Sequence, residues 1–182
     1  IPTYHLHANF RKRFRAWRSL WNPQTTSAFH QLLQRIQPDV VNAHNIHFYL
    51  SYHTLKIAYD LGIGTVFSSH DVMPFAYTKL THFIKPNLND INLPDDYRVP
   101  FGFNLRQNRL RYNPIRNIGI RYYLTHYAMI RTTPSQALAD AHSANDLPPF
   151  TLAYNGINLD EWETINPDRV NALRQRLNLQ DK

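Results

Sequence analysis

Asp39-Val40-Val41-Asn42-Ala43-His44-Asn45 and Gly64-Thr65-Val66-Phe67-Ser68-Ser69-His70-Asp71 each carry a short apolar run that ends at a histidine. Between them lies an amphipathic stretch, Phe48 to Leu61, with Tyr52, Leu55 and Ala58 on one side and Gly62 as its C-terminal cap. Strand, helix and strand at that spacing read as a right-handed βαβ crossover. The crossover makes the strands parallel and puts both strand ends, with His44 and His70, on one edge of the sheet. Open α/β sheets bind their ligands at that edge.

Further elements follow outward from this unit. Asn22-Pro23 is a helix start, and Ala28, Phe29, Leu32, Leu33 and Ile36 give that helix one apolar face before Pro38 stops it. From Val72 to about Tyr112 the pattern dissolves into Pro, Asn, Asp and aromatic residues, which we read as an excursion over the ligand edge. A helix is expected over Pro114 to Tyr127, where Ile115, Ile118 and Tyr122 are helically spaced, then a strand from Met129 to Thr132. Thr133-Pro134-Ser135-Gln136 has the form of a capping box that would turn Ala137, Leu138 and Ala141 inward. Phe150 to Tyr154 reads as a strand ended by Asn155-Gly156, a pair that tolerates positive φ and so a sharp turn. Asn166-Pro167 opens a last helix whose stripe is Val170, Leu173 and Leu177.

A chain of 182 residues with 43% hydrophobic content fills one globular core and is short for two. With no cysteine it has no disulfide framework and no thiolate chemistry, which fits a reducing compartment. No apolar run approaches the roughly 20 residues that span a bilayer. The opening Ile1-Pro2-Thr3-Tyr4 lacks an initiator Met and reads like the interior of a domain, so a longer parent is expected. The net charge of +7 is uneven: Arg11, Lys12, Arg13, Arg15 and Arg18 crowd the start, and Tyr97 to Ala139 holds seven arginines and no acid. Interleaved with Phe101, Phe103, Tyr112, Tyr122 and Tyr123, those arginines suit either a solvated helix face or an anionic lipid surface. No nucleic-acid-binding module matches, so nucleic acid is not an expected partner.

At the strand ends, the His70-Asp71 pair joins a ring that exchanges protons near neutral pH to a carboxylate that tunes it. His44, Asn45 and His47 form a second polar cluster, for which the plainer alternative is a helix N-cap at Asn45 with surface histidines. The His44-x-x-His47 spacing lacks the helical i, i+4 geometry of a zinc motif, and no metal is assigned. A metal-dependent hydrolase on His44, His47 and His70 stays as a minor alternative. A nucleophile elbow, a dinucleotide-binding glycine motif and a P-loop are all missing from these residues.

Taken in order, Gln37 to Asn45, Ser69-His70-Asp71, Thr133 to Leu138 and Tyr154-Asn155-Gly156-Ile157-Asn158 resemble the N-terminal domain of family 4 glycosyltransferases. The resemblance covers about residues 23 to 160. It implies an α/β fold, a three-layer Rossmann-like domain with a mainly parallel sheet that forms one half of a GT-B architecture. It also implies a retaining transfer of a sugar from a nucleotide-sugar donor to an acceptor such as a polysaccharide or lipid-linked glycan, with no cofactor and no metal. On this reading His70 is the catalytic candidate facing the donor, while His44, Asn45, Asp71, Asn155 and Gly156 are substrate-binding candidates. Residues 1–158 would be an incomplete N-terminal, acceptor-side domain, and 159–182 a linker with the first helix of the donor domain. The chain departs from the pattern: the family's first strand and glycine-rich loop and its second domain are not in it, and Asn158 stands where Asp is common. By itself it is therefore expected to be inactive. A cytoplasmic location, with peripheral contact to an anionic membrane, completes the expectation; a non-catalytic α/β binding or membrane-docking module is the alternative.

Overall fold

The structure, a computed structural model, describes residues 2–77, 97–158 and 166–179. Among the described residues four strands form one sheet: β1 (Val40–His44), β2 (Gly64–Ser68), β3 (Ile130–Thr133) and β4 (Thr151–Leu152). They lie side by side in chain order, every pairing is parallel, and His44 sits opposite Ser68. All four carboxyl ends therefore leave from one edge. Helices flank the sheet, so the fold is α/β as the sequence predicts.

The elements preceding that edge are set by local chemistry. Helix α1 (Arg15–Arg18) continues a 3-10 turn at Lys12–Phe14, a short element that the sequence reading did not anticipate. Helix α2 (Pro23–Ile36) begins where the Asn22 side chain accepts from the Gln24 N–H. Asn22 is fully buried and also donates to the Tyr49 carbonyl at 2.6 Å, so one side chain caps the helix and ties down the loop before α3. The inward face of α2 is narrower than its apolar spacing suggested, because Leu33 is buried but Ala28 and Ile36 are exposed. Helix α3 (His53–Asp60) starts later than expected. Phe48 to Ser51 form the approach, and Tyr52 is the N-cap whose N–H donates to the Ser19 carbonyl at 2.8 Å. Gly62 at φ 75 supplies the left-handed turn that returns the chain to β2.

Ala43 and Phe67 on one face of the sheet pack against Tyr52, Leu55, Ile120 and Leu124, the main core. Leu33, Ile57, Ala58 and Ile63 make a smaller one beneath α2 and α3. The alternate strand positions Val40, Asn42 and Ile130 are exposed.

The second half of the chain corrects several expectations. Helix α5 (Arg116–Tyr127) buries Arg116, Ile120 and Leu124, whereas Ile115, Ile118 and Tyr122 face solvent. The fully buried Arg116 donates to Ser19 Oγ (3.0 Å), Asn117 Oδ1 (3.2 Å) and the Met73 carbonyl (2.7 Å), so the arginine-rich stretch is not a uniform solvated face. Arg131 likewise serves the fold, donating to the carbonyls of Leu124, Ala128 and Pro149.

Of the expected excursion from Val72 to Tyr112, residues 78–96 lie outside the described residues. The rest is more regular than expected. It holds α4 (Phe101–Asn108) and a 3-10 turn at Arg109–Arg111, and it enters the core through Phe75, Ala76, Tyr77 and Tyr112.

Helix α6 (Gln136–Ala144) is capped by Ser135 accepting from the Leu138 N–H, because Thr133 is still in β3. Ala141 and His142 are its buried residues, and Ala137 is exposed. Strand β4 stops at Leu152, and neither Asn155 nor Gly156 has a positive φ, so the expected sharp turn is not made there. Helix α7 (Pro167–Arg176) opens on Asn166, whose side chain accepts from Asp168 and Arg169 N–H groups, and buries none of its residues. No described helix is long and apolar enough to cross a membrane.

Candidate functional site

The parallel pairing of β1 and β2 brings the two strand-end histidines into contact. His44 Nδ1 lies 2.8 Å from His70 Nε2, and the rings stack at 5.0 Å with 16° between their planes. A hydrogen bond between two imidazole nitrogens needs one N–H and one lone pair, so each ring fixes the tautomer of the other. Both rings are exposed at the carboxyl edge, where a ligand can reach them. Asn45 follows β1 at φ 50 and turns the chain away from the sheet. With α3 starting only at His53, Asn45 is a strand terminator and not a helix N-cap.

Behind this pair stands a buried polar chain. His47 is buried, with Nδ1 2.9 Å from the Tyr52 hydroxyl and Nε2 3.2 Å from Asp71 Oδ1. The Nε2 contact is at ion-pair distance. Asp71 Oδ1 also accepts from the Met73 N–H at 2.8 Å, which holds the turn that carries His70. On the other side, Ser69 Oγ lies 2.9 Å from His142 Nε2, and His142 Nδ1 bonds the Leu138 carbonyl within α6. His142 is fully buried against Phe150, 4.2 Å between ring centroids, and Phe75 at 5.6 Å. His70 is thus an exposed ring on a turn fastened by its two neighbours, Ser69 and Asp71.

The remaining sequence candidates fall less closely together. Asn155 and Gly156 are exposed beyond the end of β4, on the segment leaving the same edge. The hydrolase trio is not assembled, because His44 and His70 face each other while His47 turns inward to Tyr52 and Asp71. Among the described residues no group of three or more His, Cys, Asp or Glu side chains is arranged to hold a metal ion.

The model of Glycosyltransferase Family 4 matches residues 3–161 of this chain. The chain belongs to glycosyltransferase family 4. No curated relative and no solved structure matches it.

Electrostatics in this family 4 domain follow from the same contacts. Burial pushes the Asp71 carboxyl up, but the hydrogen bond and charge of His47, the Met73 N–H and the more distant His142 outweigh it and hold it below the ordinary carboxylate range. Burial drives the Tyr52 hydroxyl far above the usual phenol range, so it stays protonated beside His47 Nδ1. His44 is lowered by partial burial first and the adjoining His70 second. His142 is lowered by burial, which its Leu138 bond and Asp71 only partly offset.

Sequence reading of the family 4 domain underrated His47 and missed Tyr52 and His142 as part of this edge. For His47 the signal was its place three residues past His44. For His142 there was none, since α6 and β2 meet only in the folded chain.

Proposed function

We propose that this chain is the acceptor-side part of a retaining glycosyltransferase, which moves a sugar from a nucleotide-sugar donor to an acceptor such as a polysaccharide or lipid-linked glycan. The observation that carries the reading is the exposed His44–His70 pair at the carboxyl edge of a family 4 domain. His70 is the donor-facing residue; its exposed ring can bond a sugar hydroxyl or a phosphate oxygen while His44 fixes its tautomer. His44 and Asn45 line the acceptor side. Asp71 acts mainly by holding the turn, since its Oδ1 is engaged by His47 and the Met73 N–H.

On this reading residues 1–158 form the acceptor-side domain, with Asn155-Gly156 leading out of it. Residues 159–182 begin the donor domain, which would cover the exposed stripe Val170, Leu173 and Leu177 of α7. The nucleotide sugar is a substrate, no separate cofactor is called for, and the site of action is cytoplasmic. Donor selectivity would be set chiefly by the second domain.

The test is full-length turnover with a panel of nucleotide sugars, reading the anomeric configuration of the product by NMR. Transfer from one donor with retained configuration is expected. An inverted product, or hydrolysis or no reaction with every donor, would overturn the proposal.

A further inference from the structure

We propose that this domain docks on an anionic phospholipid surface through an apolar wedge ringed by arginines. The wedge is made from two chain segments far apart in sequence. Phe14, Trp17 and Trp21, before, within and after α1, are all exposed, while Ala16 and Ser19 between them are buried. Leu110, at the tip of the 3-10 turn Arg109–Arg111, completes the surface at 85% exposed. The Trp17 indole N–H donates to the Leu110 carbonyl at 3.1 Å and fixes the two segments side by side. Phe14, Trp17, Arg18, Trp21 and Leu110 line one shallow depression.

Two large indoles and a leucine clustered in water are costly to a soluble protein unless something covers them. Charge says what. Arg11, Lys12 and Arg13 flank the wedge on one segment, Arg106, Arg109 and Arg111 on the other, and all six are exposed. Residues 1–38 and 97–139, which supply the whole surface, contain no Asp or Glu. Among the described residues none of these six cations is ion-paired. Amphipathic indoles at a headgroup boundary, with arginines placed for lipid phosphates, are the chemistry of an interfacial membrane contact. An acidic protein partner would satisfy the cations but has less use for a projecting leucine beside exposed tryptophans.

The wedge is rigid with respect to the candidate site. Arg116, wholly buried, bonds Ser19 at the end of α1 with one nitrogen and the Met73 carbonyl, two residues past Asp71, with another. Docking would therefore hold the His70 edge at a fixed attitude to the lipid surface. The proposal goes beyond the transferase reading and does not depend on it.

Binding to large unilamellar vesicles tests it, with pure phosphatidylcholine compared with phosphatidylcholine carrying phosphatidylglycerol. Trp162, the third tryptophan of the chain, is changed to Phe so that Trp17 and Trp21 alone report. We expect binding only to the mixed vesicles, a blue shift of indole emission, and quenching by brominated acyl chains. Leu110→Ser with Trp21→Ser should weaken partitioning by roughly tenfold or more. Arg109→Glu with Arg111→Glu should weaken it by at least about tenfold. Circular dichroism melts of the same variants check that the fold is kept.

Absence of binding to anionic vesicles by the folded protein would overturn the proposal. So would binding without an indole shift, or binding that the Leu110 and Trp21 changes leave intact. Self-association abolished by those changes, without vesicle binding, would instead make the surface a contact between copies of the chain.

Discussion

At the scale of single residues, proton placement decides how the edge behaves. Tyr52→Phe removes the hydroxyl that meets His47 Nδ1 in a fully buried place and should cost about 1 kcal/mol, read from urea denaturation midpoints. An unchanged midpoint would mean that the hydroxyl and the imidazole gain nothing from each other. Acidification acts on more groups. His44, His53 and His142 all lie below the ordinary histidine value of 6.5 when folded, each chiefly through burial. The unfolded chain therefore takes up protons first as pH falls, and stability present above that value is lost on going below it. Asp71, also depressed, adds a further loss as the pH approaches the carboxylate range. Thermal melts between about pH 7.5 and about pH 5 should show a falling Tm; a rising one would contradict the downward shift of these histidines.

At the scale of elements, α5 shows how a periodic pattern misleads. Ile115, Ile118 and Tyr122 and the set Arg116, Ile120 and Leu124 both have helical spacing, and hydrophobicity alone favours the former. Packing selects the latter, because a guanidinium long enough to reach Ser19 and Met73 satisfies three polar groups from inside the core. Close approach also matters. A Cβ at Gly119 would lie 2.6 Å from Leu20 Cδ2, so a larger residue there would make the Leu20 side chain shift. Leu124→Ala should therefore cost about 2–5 kcal/mol, and Ile118→Ser only about 0.5 kcal/mol or less. The reverse order would restore the face that hydrophobic spacing suggests. Caps were legible where the capping side chain adjoins the first turn, as at Asn22 and Asn166. At Thr133 and Ser135 two candidates competed, and the extent of β3 decided between them.

Across the whole molecule, the sheet edge was readable because strand, helix and strand lie within one local stretch, from Val40 to Ser68. That local pattern also put His44 and His70 on the same edge, since parallel neighbours share a carboxyl end; their contact appears only in the folded register. What supports the pair was not readable. His142 reaches Ser69 across 73 residues of sequence and Arg116 reaches Ser19 across 97, contacts that no spacing rule encodes. The fold supplies a turn on which Ser69 and Asp71 hold His70 outward.

Turnover of the full-length enzyme carrying His70→Ala, at saturating donor, is the most direct test of that assignment. The account predicts a loss of about a hundredfold or more, the scale of removing one preorganised group that meets developing charge, with an unchanged melting temperature. Turnover within about twofold of the parent in a folded variant, below even a modest general-acid or hydrogen-bond contribution, would contradict it.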